Sequence, residues 1–197
     1  MLGLKMETDP RWVNIVEKNI EEIVTDHTYC EQKAASNAIT IIVKFPEYDD
    51  LVEAMVELAR EEMEHFGMVH QKIKERGFKL GFERKDPYVG DLLEYLKQQN
   101  SGGSRDTQFV NRMMFAAMIE ARSCERFRIL SEEINDDDLK EFYRSLMESE
   151  ARHYTTFISY ARKYAGKSID VEERWSEFLI FEAQLMKKYG KSETIHG

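Results

Sequence analysis

Leu58-Ala-Arg-Glu-Glu-Met-Glu-His65 and Ser149-Glu-Ala-Arg-His153 each contain a Glu-x-x-His pair, Glu62 with His65 and Glu150 with His153. A spacing of three puts both side chains on one face of a helix. One such pair is a weak signal, because Glu and His are common on solvated faces, so the face they occupy decides. Steps of three, four and seven from Glu62 reach Met55, Leu58, Ala59, Phe66 and Val69, with Ile73 further along. The same steps from Glu150 reach Tyr143, Leu146, Met147, Tyr154 and Phe157. Both pairs therefore interrupt the apolar stripe that a helix turns toward a core.

A carboxylate buried without compensation is strongly unfavourable, and a metal ion neutralises several at once. Two further glutamates lie on comparable stripes: Glu31 with Val24, Ala34, Ala35 and Ala38, and Glu120 with Met113, Ala116, Ala117 and Phe127. Glu61 and Glu125 fit less well, since their faces carry Glu57 and Glu64, or Arg122 and Arg128. Glu31 and Glu62 are 31 residues apart and Glu120 and Glu150 are 30 apart, one helix, a turn and a return in each case. The chain thus reads as a repeated helix hairpin. Glu31, Glu62, His65, Glu120, Glu150 and His153 supply one Glu from each of two helices and Glu-x-x-His from each of two others, the di-metal carboxylate pattern of ferritin-like four-helix bundles. Four carboxylates balance two divalent ions, and hard oxygens mixed with imidazole suit iron or manganese. The competing reading, buried ion pairs, lacks enough cations at matching core positions.

Turn residues mark out the same helices. The three prolines (Pro10, Pro46, Pro87) and the glycines leave Arg11–Phe45 and Ser104–Ala165 uninterrupted. Asp9 as N-cap and Pro10 in the first turn predict a helix closed by Phe45-Pro46. A second is predicted over Asp49–Arg76, stopped by Gly77, then a loop, a shorter helix over Tyr88–Gln99 and a flexible Asn100–Ser104. Asp106–Ile134, a helix capped by Asn135-Asp-Asp-Asp138 and running to Ala165, and Val171–Tyr189 complete the set. With no strand-like alternation, the expected fold is all-α: a ferritin-like four-helix bundle with two accessory helices, one domain over 1–197.

The 197 residues carry a net charge of −9, which argues against a surface that coats nucleic acid or anionic membrane throughout, while leaving a local basic patch open. No apolar run approaches the roughly 20 residues of a membrane span, and the start lacks signal-peptide regions, so a soluble, cytoplasmic protein is expected. Cys30 and Cys124 form no CxxC and are expected as buried free thiols. The segment Lys72–Lys85 holds six basic residues (Lys72, Lys74, Arg76, Lys79, Arg84, Lys85) against two acidic ones. It is the candidate phosphate-contact patch, with Phe78 and Phe82 as candidates to stack on unpaired bases. The plainer reading of the same segment is a solvated helix end with both rings packed inward.

His27-Thr-Tyr-Cys-Glu-Gln-Lys-Ala-Ala-Ser36, Leu58–His65, Glu120-Ala-Arg-Ser-Cys-Glu-Arg-Phe127 and Ser149–His153 resemble the family of tRNA hydroxylases acting on 2-methylthio-isopentenyladenosine. The resemblance runs from Asp9-Pro-Arg-Trp12 to the terminal helix, and Ala-Arg-Ser-Cys-Glu-Arg-Phe is its most specific part. It implies a non-haem di-iron monooxygenase that hydroxylates the isopentenyl group of a modified adenosine beside the tRNA anticodon. By that resemblance the six residues named above are the ligands of two iron ions, with dioxygen as co-substrate. The partners implied are tRNA and an electron donor, a ferredoxin or reductase, with no membrane, for a monomer or small oligomer. Arg122, Arg126 and Arg152, neighbours of the ligands in sequence, are candidates to hydrogen-bond them from behind or to line the substrate entrance, and His27, one turn before Glu31, is a candidate for the same support, with core packing its alternative. His70 and His196 read as surface residues. A ferritin-like ferroxidase and another di-iron hydroxylase are the rival functions.

Overall fold

The computed structural model describes residues 2–196, which form seven α-helices and no strand. They are α1 (Trp12–Lys18), α2 (Ile20–Lys44), α3 (Asp49–Glu75), α4 (Pro87–Asn100), α5 (Arg105–Glu133), α6 (Asp137–Tyr164) and α7 (Val171–Tyr189). The caps follow local chemistry: Asp86, Ser104, Asp136 and Asp170 each accept a backbone N–H of the first turn of α4, α5, α6 and α7. At the end of α3, Gly77 adopts φ +72°, and the Phe78 and Gly77 N–H groups bond to the carbonyls of Ile73 and Lys74. That is a Schellman cap, which needs a left-handed residue and so a glycine.

The predicted first helix is in fact two. The backbone leaves helical dihedrals at Asn19 (φ −138°, ψ 39°), after Asp9 has capped the turn leading into α1. The cause is tertiary anchoring, which overrides the uninterrupted local pattern. Trp12 is buried, its indole N–H donates to the Ser192 carbonyl at 3.0 Å, and the Arg126 guanidinium lies 3.9 Å above the ring.

The chain divides into two compact units. One comprises residues 18–85 with 193–195 and is built on α2 and α3, joined by the short turn at 45–48 and therefore antiparallel. Its core is the single stripe Leu51, Met55, Leu58, Val69 and Ile73 of α3 against Ile23, Val24, Ala35, Ala38 and Ile41 of α2. The other comprises residues up to Glu17, 86–192 and His196, and centres on α5. Helix α5 packs along α6 and also against α4 and α7, so it is buried nearly all round. Cys30 and Cys124 are buried and free, as expected.

His196 departs from its expected surface position: it is buried, stacks on Tyr88, and lies 3.3 Å from Asp86 and 3.1 Å from the Ser123 hydroxyl. Among the described residues no helix is long and apolar enough to cross a membrane.

Candidate metal centre

In the α2/α3 unit, Glu31, Glu62 and His65 are all buried, and one ligand atom from each lies within 4.8 Å of the others. Glu31 sits mid-α2, where small Ala35 and Ala38 line the buried face, and α3 presents Glu62 and His65 from adjacent turns of its stripe. His65 Nδ1 is 3.4 Å from Glu62 and 3.8 Å from Glu31. Burial alone would push this imidazole down, but hydrogen bonds and charge from Glu31 and Glu62 hold its pKa up at about 9. Behind Glu31, His27 Nε2 donates to Oε1 at 2.5 Å. Burial pushes the Glu31 carboxyl up, and the His27 charge with hydrogen bonds from His27 and His65 more than reverses that, so it stays ionised far below the usual carboxylate range.

The α5/α6 unit repeats the arrangement. Glu120, Glu150 and His153 are buried with ligand atoms within the same 4.8 Å, and His153 Nδ1 is 3.8 Å from Glu120. Each unit thus gathers two carboxylates and one imidazole in a water-poor setting, and neither triad includes a thiolate. Hard oxygen donors with a nitrogen donor fit a first-row divalent ion such as iron or manganese.

Of the residues expected behind these donors, His27 bonds Glu31, whereas Arg122 points elsewhere. Arg122 lies two residues beyond Glu120, roughly 200° around the helix, and faces the other way. Its guanidinium donates to Glu182 at 2.9 and 2.6 Å, to Glu125 at 2.8 Å, to Thr8 Oγ1 at 3.3 Å and to the Met6 carbonyl at 2.9 Å. Thr8 completes the network by donating to both Glu125 oxygens, at 2.9 and 2.6 Å, and Tyr88 donates to Glu182 at 3.2 Å. This buried cluster fastens the N-terminal segment and α7 to the back of α5. Arg152 is exposed on α6.

The basic segment is divided in the same way. Lys74, Lys79 and Lys85 are exposed, while Lys72 pairs with Glu75 at 3.5 Å and Arg76 is half-buried. Arg84 is a loop anchor, bonded to the Glu22 carboxylate and carbonyl and to the Glu193 carbonyl. Phe78 is half-buried and Phe82 is out in solvent.

Paired helices that each bring a lone glutamate against a Glu-x-x-His turn are the way ferritin-like proteins hold metal, and this chain is a member of that class. A family model described as "tRNA-(MS[2]IO[6]A)-hydroxylase (MiaE)" matches residues 2–197, and the chain belongs to that family of tRNA-hydroxylating enzymes. Among curated relatives, the tRNA 2-(methylsulfanyl)-N(6)-isopentenyladenosine(37) hydroxylase of Pseudomonas putida is 34% identical over 161 residues, covering 82% of this chain and 76% of that protein. The enzyme of the same name from Salmonella typhimurium is 26% identical over 205 residues, covering 80% and 74%. Among solved structures, "Protein 43 with aldehyde deformylating oxygenase activity" from Synechococcus superposes with a TM-score of 0.88 at 30% identity, covering 98% of this chain and 95% of that one.

Proposed function

We propose that this chain is an oxygen-dependent di-iron monooxygenase that hydroxylates the isopentenyl group of (methylthio-)isopentenyladenosine next to the anticodon of tRNA. The observation that carries the reading is the duplicated buried triad, within a chain matched over 2–197 by a tRNA-hydroxylase family. Glu31, Glu62 and His65 with Glu120, Glu150 and His153 are the proposed ligands, the whole of 1–197 acting as one domain.

Two iron ions held by these residues would supply dioxygen activation: with two electrons and two protons, one oxygen atom enters an allylic C–H bond to give the alcohol and the other leaves as water. Everything else falls to the protein. The four carboxylates balance the charge of two divalent ions. Burial of all six donors keeps bulk water from the reacting carbon and raises the strength of each electrostatic contact. His27 holds one oxygen of Glu31, which fixes the direction in which the other is offered. Lys74, Lys79 and Lys85, with support from Lys72 and Arg76, take the tRNA phosphates. The electrons come from a ferredoxin or reductase, and the enzyme works in the cytoplasm as a monomer or small oligomer.

Single-turnover oxidation tests the reading: the iron-loaded, chemically reduced protein meets oxygen and tRNA bearing isopentenyladenosine, with and without the methylthio group, and the nucleosides are analysed by mass spectrometry. A gain of one oxygen atom on that nucleoside is expected. Iron oxidation with no modified nucleoside would overturn it in favour of a ferroxidase. The likeness to the Synechococcus protein gives a second reading, oxygen-dependent deformylation of an aldehyde, and the same reduced protein with an aldehyde tests it.

A further inference from the structure

The loop after α3 puts one aromatic ring into solvent on an anchored backbone. Phe82 is 94% exposed and is the only large apolar side chain of residues 72–85 that is exposed. Left to itself a short loop with such a residue folds the ring onto nearby apolar surface, because exposing it is unfavourable. Here the backbone on either side is tied down. The Lys79 N–H reaches Glu21 at 3.4 Å, and Tyr29 Oη donates to the Gly81 carbonyl at 2.9 Å. Lys33 pairs with Glu83 at 3.1 Å, and Arg84 donates to the carbonyls of Glu22 at 3.3 Å and Glu193 at 2.6 Å. Gly81 lies so close to α2 that a Cβ there would touch Thr25 at 3.4 Å. Phe78, at the capped end of α3, is tucked in, so the segment spends one ring on its own packing and offers the other.

We infer that Phe82 is a stacking finger for an unpaired base of the tRNA loop that carries the target adenosine, an inference that rests on the tRNA reading above. A flat uncharged ring with exposed lysines in the same segment matches RNA chemistry, stacking for a base and ammonium groups for the flanking phosphates. A protein partner would call for a wider apolar patch, and the segment has none. Holding the loop backbone in place before binding spares the complex the entropy of ordering that backbone. Stacking on any base is sequence-tolerant, so Phe82 supplies position and affinity while recognition of the modified base is left to the metal site.

The test uses the full-length protein and a synthetic anticodon stem-loop carrying isopentenyladenosine, with 2-aminopurine beside it as a fluorescent reporter of stacking. Wild type is expected to quench the reporter, and Phe82→Ala to lose that quenching, weaken binding about tenfold and raise KM in proportion with kcat little changed. Phe82→Trp should restore quenching and affinity, and Ile180→Ala, an exposed apolar residue on α7, should leave both untouched. If wild type hydroxylates the stem-loop and Phe82→Ala binds it equally well, the finger is refuted while the hydroxylase reading stands. If Phe82→Ala changes only the requirement for the electron donor, the loop docks the donor and the inference fails. If wild type neither binds nor hydroxylates the stem-loop, the tRNA reading and the finger fall together.

Discussion

The two helix pairs carry the same donors in the same order, yet their surroundings differ at one matched position. One turn before Glu31 stands His27, bonded to its carboxylate, whereas one turn before Glu120 stands the buried methyl of Ala116. The two halves thus differ in how firmly each first carboxylate is held, and two metal ions held by them would be chemically inequivalent. The burial of the helices differs as well: α3 hides one stripe, whereas α5 is covered on almost every side and accommodates two arginines and a glutamate on the face away from Glu120.

Removing a donor should have the largest effect in either half. Glu62→Ala and Glu150→Ala are expected to abolish hydroxylation and to reduce bound iron, measured by elemental analysis of the reloaded protein. A fully active, fully loaded variant would remove that residue from the ligand set. Next comes the cluster behind α5. Arg122→Ala leaves Glu125 and Glu182 buried without their shared cation, and breaking such a buried pair costs about 3–5 kcal/mol. Urea unfolding followed by circular dichroism should show it, with Glu182→Gln losing less because its amide oxygen still accepts a hydrogen bond from Arg122.

A sharper probe of the asymmetry is His27→Ala, expected to weaken metal affinity by about 10- to 100-fold as losses of such supporting groups do. His27→Gln should recover part of it by supplying an N–H donor. Mössbauer spectra of the reduced iron protein should show two environments in wild type that draw together in His27→Ala. Two identical environments in wild type would contradict the inequivalence. The smallest effect concerns the cysteines. Burial pushes the Cys124 thiol up to about 11, so only about one molecule in a thousand carries the thiolate at pH 8. Alkylation of native protein followed by mass spectrometry should label Cys30 on α2 before Cys124 on α5.

Much of this was legible in the chain. Glu62, His65, Glu150 and His153 stand on apolar stripes in the sequence, Glu31 and Glu120 share a matched spacing, and the fold buries all six. The ends of α4 to α7 lie within a residue or two of their predicted places because helix ends are set by local chemistry. What could not be read depends on contacts distant in sequence. The break at Asn19 follows from where Trp12 is anchored, by Ser192 and Arg126, and no residue near Asn19 announces it. Arg122 is close to Glu120 in sequence but opposite it on the helix, so proximity in sequence does not tell which way its side chain points. The signal was present in the run Arg122-Ser-Cys-Glu-Arg126, which offers charges to a face that a two-layer bundle would leave wet. That face is dry only because α7 and the N-terminal segment cover it. His196 looked like a surface residue for the same reason, since nothing near it in sequence foretells Asp86 or Ser123.

The tie between Arg84 and the Glu193 carbonyl spans 109 residues of chain. A ribosome adds roughly 5–20 residues each second, so this last tie forms about 5–20 s after the loop itself is made, and until then the loop is held by its partners on α2 alone, Glu21, Glu22, Tyr29 and Lys33.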